Sequence, residues 1–134
     1  MIDPEVQVLD IIVDCSDPDR LASFWADVLG RPIAGRKGPY VWLERSPGAP
    51  GLGFQRVGEV KLGKNRVHLD IAVRDVAAAR RRIEDLGGRR VPGYERGGFL
   101  VMADPEGNEF CLIPVEPFDV DDEGRTDYLD DAAP

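Results

Sequence analysis

The sequence predicts an α+β fold built from two βαβββ modules. They are expected to pair into a curved, cup-shaped eight-stranded sheet with a helix on the outer face of each module. Three observations predict it. A β-branched run, VQVLDIIVDC, stops at a helix-start signal, Ser16-Asp17-Pro18-Asp19. The segment after it spaces its apolar residues for one helical face. The same order of signals then begins again, offset by about 57 residues, the distance from Gly30 to Gly87. One helix covers only one face of a four-stranded sheet, so the other face needs a partner. Pairing two such sheets, within a chain or between chains, leaves a concave inner face.

The elements follow in order. Val6 to Cys15 reads as a strand, being rich in β-branched residues and partly alternating. Ser16 or Asp17 can cap free backbone N–H groups, and Pro18 suits the first helical turn, where its missing donor costs nothing. Leu21, Phe24, Trp25, Val28 and Leu29 fall on one stripe, and Gly30 ends the helix. Three short strands are expected around Pro32–Ala34, Pro39–Glu44 and Leu52–Val57, separated by Gly- and Pro-containing turns. In the second copy Arg66–Val73 is the expected strand. Asp75 caps a helix with apolar Val76, Ala79, Ile83 and Leu86, and Gly87-Gly88 stops it. Strands at Arg89–Val91, Phe99–Ala103 and Glu109–Pro114 complete the repeat. The modules run over about 6–58 and 65–114, within a domain of residues 1–115.

Composition narrows the function classes. At 134 residues the chain is large enough for one hydrophobic core. No apolar run approaches the roughly 18 residues of a membrane-spanning helix, and the first residues lack a signal-peptide pattern. Two cysteines without a CxxC motif, Cys15 and Cys111, fit a reducing cytoplasm. The net charge is −8, and residues 116–134 supply most of it, with eight acidic residues against Arg125 alone. That tail is expected to be largely disordered, with Phe118, Tyr128 and Leu129 available for docking. The body is nearly neutral, which excludes the clustered cations that nucleic acid needs. Arg80-Arg81-Arg82 reads as the solvated face of the second helix.

Side-chain alternation selects candidate site residues. The only histidine, His68, shares a strand face with Asp70, opposite Val67, Leu69, Ile71 and Val73. Asp10, Ile12 and Asp14 form one set in the first strand. Glu109 and Cys111 oppose Phe110 and Leu112, and Gln55 opposes Phe54 and Arg56. Tyr40 and Trp42 alternate with Val41 and Leu43, so one pair faces the cup and the other the helix. A pocket aromatic grips an apolar or planar ligand; the same residues serve equally as core. His68 reads either as a ligand or as a sheet-face histidine donating to Asp70, Glu109 or a carbonyl. Cys111 has no second imidazole to activate it as a nucleophile.

The repeat, the helix LASFWADVLG, the strand RVHLDIAV and the ending DPEGNEFCLI resemble the vicinal oxygen chelate superfamily, the glyoxalase, bleomycin-resistance and extradiol-dioxygenase group. The resemblance covers roughly Val8 to Pro114 and is nearest to small bacterial glyoxalase-like domains. It implies a metal site on the first, fifth and eighth strands, which places His68, Glu109 and Asp10 as ligands. Gln55 falls near the fourth-strand position. Many active members have histidine where this chain has Asp10. One imidazole with several oxygens suits Mn²⁺, Mg²⁺, Fe²⁺ or Ni²⁺ better than Zn²⁺, and its single histidine fits oxygen-activating iron poorly.

Two functions follow from the resemblance. One is a divalent-metal lyase or isomerase acting on a small polar metabolite, with Glu109 as general base and Gln55, Tyr40, Trp42 and Cys111 contacting substrate. The other is a metal-free module that sequesters a planar, often cationic compound, as bleomycin-resistance proteins do. Both imply a small-molecule ligand, no nucleic acid or membrane partner, and a homodimer.

Overall fold

The computed structural model describes residues 6–92 and 100–115. It is α+β, with two four-stranded sheets and two helices among the described residues, in the order βαβββ-βαβββ. The chain divides into two compact units, Met1–Val60 and Lys61–Pro134. Phe99 and the acidic tail from Glu116 onward lie outside the described residues.

The first unit contains β1 (Asp10–Cys15), α1 (Pro18–Leu29), β2 (Ile33–Lys37), β3 (Tyr40–Leu43) and β4 (Gly51–Arg56). Its strand order is β1-β4-β3-β2, with β1 parallel to β4 and the other pairs antiparallel. The caps of α1 form as its sequence requires. The Asp17 carboxylate accepts the Arg20 N–H at 3.2 Å, and Gly30 turns the chain at a φ of 65° that favours glycine. Leu21, Ala22, Phe24 and Trp25 are buried under the sheet, and the two rings meet edge to face at 5.3 Å. Each large side chain on this face contributes about 1.5–3 kcal/mol of burial. Opposite them lie Val41, Leu43 and Phe54, also buried.

β1 is shorter than its β-branched sequence predicts. Pairing with β4 starts at Asp10↔Gly51, and the Gly51 N–H donates to the Leu9 carbonyl. Val6 and Val8 lie before the first paired residues, and they and Leu9 stay exposed. Strand propensity without a neighbour for the backbone groups does not make a strand.

The second unit contains β5 (Leu69–Val73), α2 (Val76–Asp85), β6 (Arg89–Arg90), β7 (Leu100–Ala103) and β8 (Glu109–Pro114), in the order β5-β8-β7-β6. Asp75 caps α2 by accepting the Ala78 N–H at 3.0 Å. Two expectations are corrected here. Arg66–His68 do not join the strand, and Val67 is exposed rather than turned to the helix. The cause is register: Leu69 is paired with Phe110, and β8 begins only one residue earlier. The basic cluster on α2 is also not wholly solvated. Arg81 and Arg82 are exposed, but Arg80 sits one turn after Val76 on the buried face at 6% exposure. Its Nε has no hydrogen-bond partner among the described residues, and the Glu84 carboxylate stands 3.6 Å away.

The segment Asp104-Pro105-Glu106-Gly107-Asn108 is a turn closed on its first side chain. Buried Asp104 accepts the backbone N–H groups of Glu106 and Asn108 through Oδ1, at 2.9 and 3.0 Å, and the Asn108 side-chain amide through both oxygens. Gly107 takes a φ of 87°. This turn launches β8 and so fixes where Glu109 and Cys111 stand.

Candidate functional site

The open face of the first sheet is built by subtraction. Register aligns Asp10 with Gly51, Ile12 with Gly53 and Asp14 with Gln55 across β1 and β4, and Trp42 with Gly53 and Gly35 across β3. Three of these face positions therefore carry no side chain. A Cβ on Gly35 would stand 2.5 Å from the Trp42 ring, and one on Gly53 would stand 3.0 Å from the Ile12 methyl. The glycines let neighbouring side chains lie flat across the strands, and a hollow of about 380 Å³ remains. Tyr40 and Trp42, each about 40% exposed, line it, as does half-exposed Ile12. Val41 and Leu43 point to the helix side and are buried, which settles the alternation of β3.

Charges sit at the two ends of the hollow. At one end the Arg45 guanidinium donates to Asp10 Oδ1 at 2.6 Å and to the Leu9 carbonyl at 2.9 Å. At the other end is Lys37, aligned with Tyr40. Gln55 lies beside Tyr40 in the same sheet. Of the residues singled out in the sequence, Asp10, Tyr40 and Trp42 line this hollow and Gln55 adjoins it; Lys37, Arg45 and Gly53 line it too, and Gly35 and Gly51 adjoin it, without having been singled out. The signal was present in GLGF, where glycine recurs at alternate strand positions; isolated strand glycines mark close approach of a ligand or another chain segment.

The second unit gathers a different set. His68 immediately precedes β5, half-exposed, with Nε2 3.2 Å from Asp70 Oδ1. Asp70 is aligned with Cys111 on β8. One potential ligand atom from each of these three residues lies within 4.8 Å of the others. Burial raises the Cys111 thiol to about 11, and the Asp70 carboxylate adds to the rise. The thiol is therefore protonated and unreactive at neutral pH. Glu109 has other company. Its carboxylate accepts the Asn65 N–H at 3.0 Å and lies 3.5 Å from Lys61 and 3.9 Å from Lys64. The Asn65 amide donates back to the Glu109 carbonyl at 3.0 Å. Burial pushes the Glu109 pKa up, but the Asn65 N–H and the two lysines outweigh it, and the net shift is downward. A divalent ion at Glu109 or Asp10 would first have to displace lysines or Arg45.

The glyoxalase-like domain model matches residues 10–113, nearly all of the described fold. The chain belongs to the glyoxalase-like family. Its structural neighbours are of the vicinal oxygen chelate kind. A glyoxalase-related enzyme from Fulvimarina pelagi superposes with a TM-score of 0.63 at 18% identity, covering 90% of this chain and 96% of that one. A glyoxalase/bleomycin resistance protein/dioxygenase family enzyme from Burkholderia phytofirmans PsJN gives 0.64 at 18% identity, covering 83% and 100%. A bleomycin-binding protein from Streptomyces verticillus, complexed with copper(II)-bleomycin, gives 0.56 at 20% identity, covering 83% and 99%. No curated protein matches the sequence. No helix among the described residues of this glyoxalase-like chain is long and apolar enough to cross a membrane.

Proposed function

We propose that the protein binds a small organic molecule on the open face of its first sheet. The observation that carries this reading is the glycine-floored hollow with Tyr40 and Trp42 standing half-exposed in it. Aromatic rings left partly in water at the wall of a pocket this size offer a large apolar contact area at little entropic cost. The family membership and the bleomycin-binding neighbour support the same class of ligand. The reading invokes no metal: Asp10, the carboxylate that lines the hollow, is already paired with Arg45. Tryptophan fluorescence tests the reading. Trp25 is buried at 2% exposure and Trp42 is not, so ligand titrated in EDTA should change a signal that Trp42→Phe removes. Ligands that bind only after metal is restored, or a response that survives Trp42→Phe, would refute it.

A divalent-metal lyase or isomerase is the second reading, and the juxtaposition of His68, Asp70 and Cys111 favours it. One nitrogen, one oxygen and one sulfur form a donor set that Zn²⁺ accepts, and it fits an ion better than a set relying on Glu109 and Asp10, whose carboxylates carry cations. A bound ion would polarise a substrate oxygen and stabilise an oxyanion. Within this reading His68 and Asp70 hold the ion and Cys111 joins it only by giving up its proton. Glu109, with its pKa lowered, is a weak general base. Elemental analysis of untagged protein, purified without chelators, decides: stoichiometric metal that His68→Ala abolishes is expected, and unchanged metal in that variant excludes the site. Residues 1–115 form the glyoxalase-like domain in either reading, with 116–134 as an acidic extension. The working assembly is a homodimer, which light scattering in solution tests.

A further inference from the structure

We propose that the molecule held in the first unit's hollow is a planar anion, an aromatic carboxylate or similar flat acid. Its body lies against Ile12, Tyr40 and Trp42, and its charged group meets Lys37. This rests on the proposal that the hollow is the binding site and adds the class of ligand.

The argument starts from the charges on the face. Three ionised groups line the hollow: Asp10, Arg45 and Lys37. Asp10 and Arg45 neutralise each other at 2.6 Å, and Arg45 is further tied to the Leu9 carbonyl. Lys37 has no hydrogen-bond or ion-pair partner among the described residues. The hollow thus presents one uncommitted charge, and it is positive. Asp14 shares the same cross-strand row, Asp14–Gln55–Tyr40–Lys37, but stands three strands away, roughly 14 Å at sheet spacing. It does not cancel the lysine locally. A cationic ligand would meet repulsion at Lys37 and would find Asp10 already taken.

Shape gives the rest of the ligand. The rows from Gly51 to Gln55 span four residue steps, roughly 13 Å along the strand, with the Asp10–Arg45 pair over the first of them. The floor stays low because Gly51 and Gly53 have no side chains, which lets the Asp10–Arg45 pair and the Ile12 methyl lie over them. A Cβ on Gly51 would stand 2.2 Å from the Asp10 carboxylate and 2.8 Å from Arg45, so that ion pair lies tightly across the floor and closes one end. The ligand's charged group is therefore directed to the opposite end, where Lys37 flanks Tyr40. Trp42 lies across Gly35 and offers its ring to the apolar body.

The test uses three probes of one shape and different charge: 2-naphthoate, its methyl ester and 2-naphthylmethylammonium. Each is titrated calorimetrically in EDTA against the full chain, Lys37→Met and Trp42→Leu. Lys37 is exposed, so its replacement leaves folding intact. Naphthoate should bind about tenfold tighter than the ester, the worth of one charge-assisted hydrogen bond, and the ammonium weakest. Lys37→Met should erase that tenfold preference without changing ester binding, and Trp42→Leu should weaken all three. If the ammonium or ester binds as tightly as the acid, or if Lys37→Met leaves naphthoate unchanged, the anion assignment falls while the hollow remains a binding site. If none of the three binds the wild-type chain, the hollow itself is refuted and the assignment with it.

Discussion

The two units share one topology and present opposite chemistry on their open faces. Strand order β1-β4-β3-β2 in the first is repeated as β5-β8-β7-β6 in the second, with a parallel outer pair in each. The first face is glycine, isoleucine and aromatic rings, with the Asp10–Arg45 pair and Lys37 at its ends. The second collects His68, Asp70 and Cys111, with Glu109 and its lysines beside the start of β8. The helices differ in the same sense: α1 buries Leu21, Phe24 and Trp25, whereas α2 buries Val76, Ile83 and a charged Arg80. Backbone pairing and caps are thus enough to specify the repeat, and the chemistry is free to diverge wherever a side chain does not hold the sheet to its helix.

The contrast between the helices predicts the largest effect. Trp25→Ala should cost about 3–5 kcal/mol in denaturant unfolding, because it empties the packed face of α1. A cost below about 1 kcal/mol would mean that α1 is no better anchored than α2. Next is the turn that starts β8. Asp104→Ala removes the acceptor for two backbone N–H groups and one amide, and should destabilise by about 1–3 kcal/mol. An unchanged unfolding midpoint would show that the turn holds without its carboxylate.

Arg80→Met sharpens the comparison from the other side. It replaces a buried guanidinium with an unpartnered Nε by an apolar chain of similar reach, and should leave stability unchanged or raise it by up to about 1 kcal/mol. A clear loss would show that Arg80 makes a contact its geometry does not reveal.

The smallest effect is acid sensitivity. Glu109 has a folded pKa below its ordinary value of 4.5. Its ionised form therefore stabilises the second unit above that pH, and the contribution fades as pH falls through the lowered folded value. Urea midpoints measured from neutral pH down through this range should fall less steeply for Glu109→Gln than for the wild type. Equal slopes would place the acid sensitivity elsewhere.

Much of the fold was legible because caps and periodicity are local. Asp17, Gly30 and Asp75 stand where the helix-end rules put them, and the alternation of Tyr40, Val41, Trp42 and Leu43 separated the two faces of β3 but left open which pair is buried. What was lost depended on partners distant in sequence. The lengths of β1 and β5 follow from where β4 and β8 begin, at Gly51 and Glu109, and no property of Val6 or Val67 reports that. Arg80 looked like its neighbours in a basic run, yet one turn of helix after Val76 carries it inward. At the site, polar and aromatic residues drew attention, while the glycines that make room beside them passed as turn formers. The Glu109 lysines escaped notice because the segment around Lys61 and Lys64 has no periodic pattern to orient it.

The glycine pavement of the first sheet has a consequence for how selectivity can change. A recess made by omitting atoms is remodelled by restoring them one methyl at a time, with the scaffold beneath left in register. At Gly53 an added methyl would abut the Ile12 side chain and raise the base of the recess; at Gly35 it would tip the indole outward. Relatives sharing this backbone can therefore diverge in what they accept through substitutions at two or three of the smallest residues, long before any charged group is exchanged.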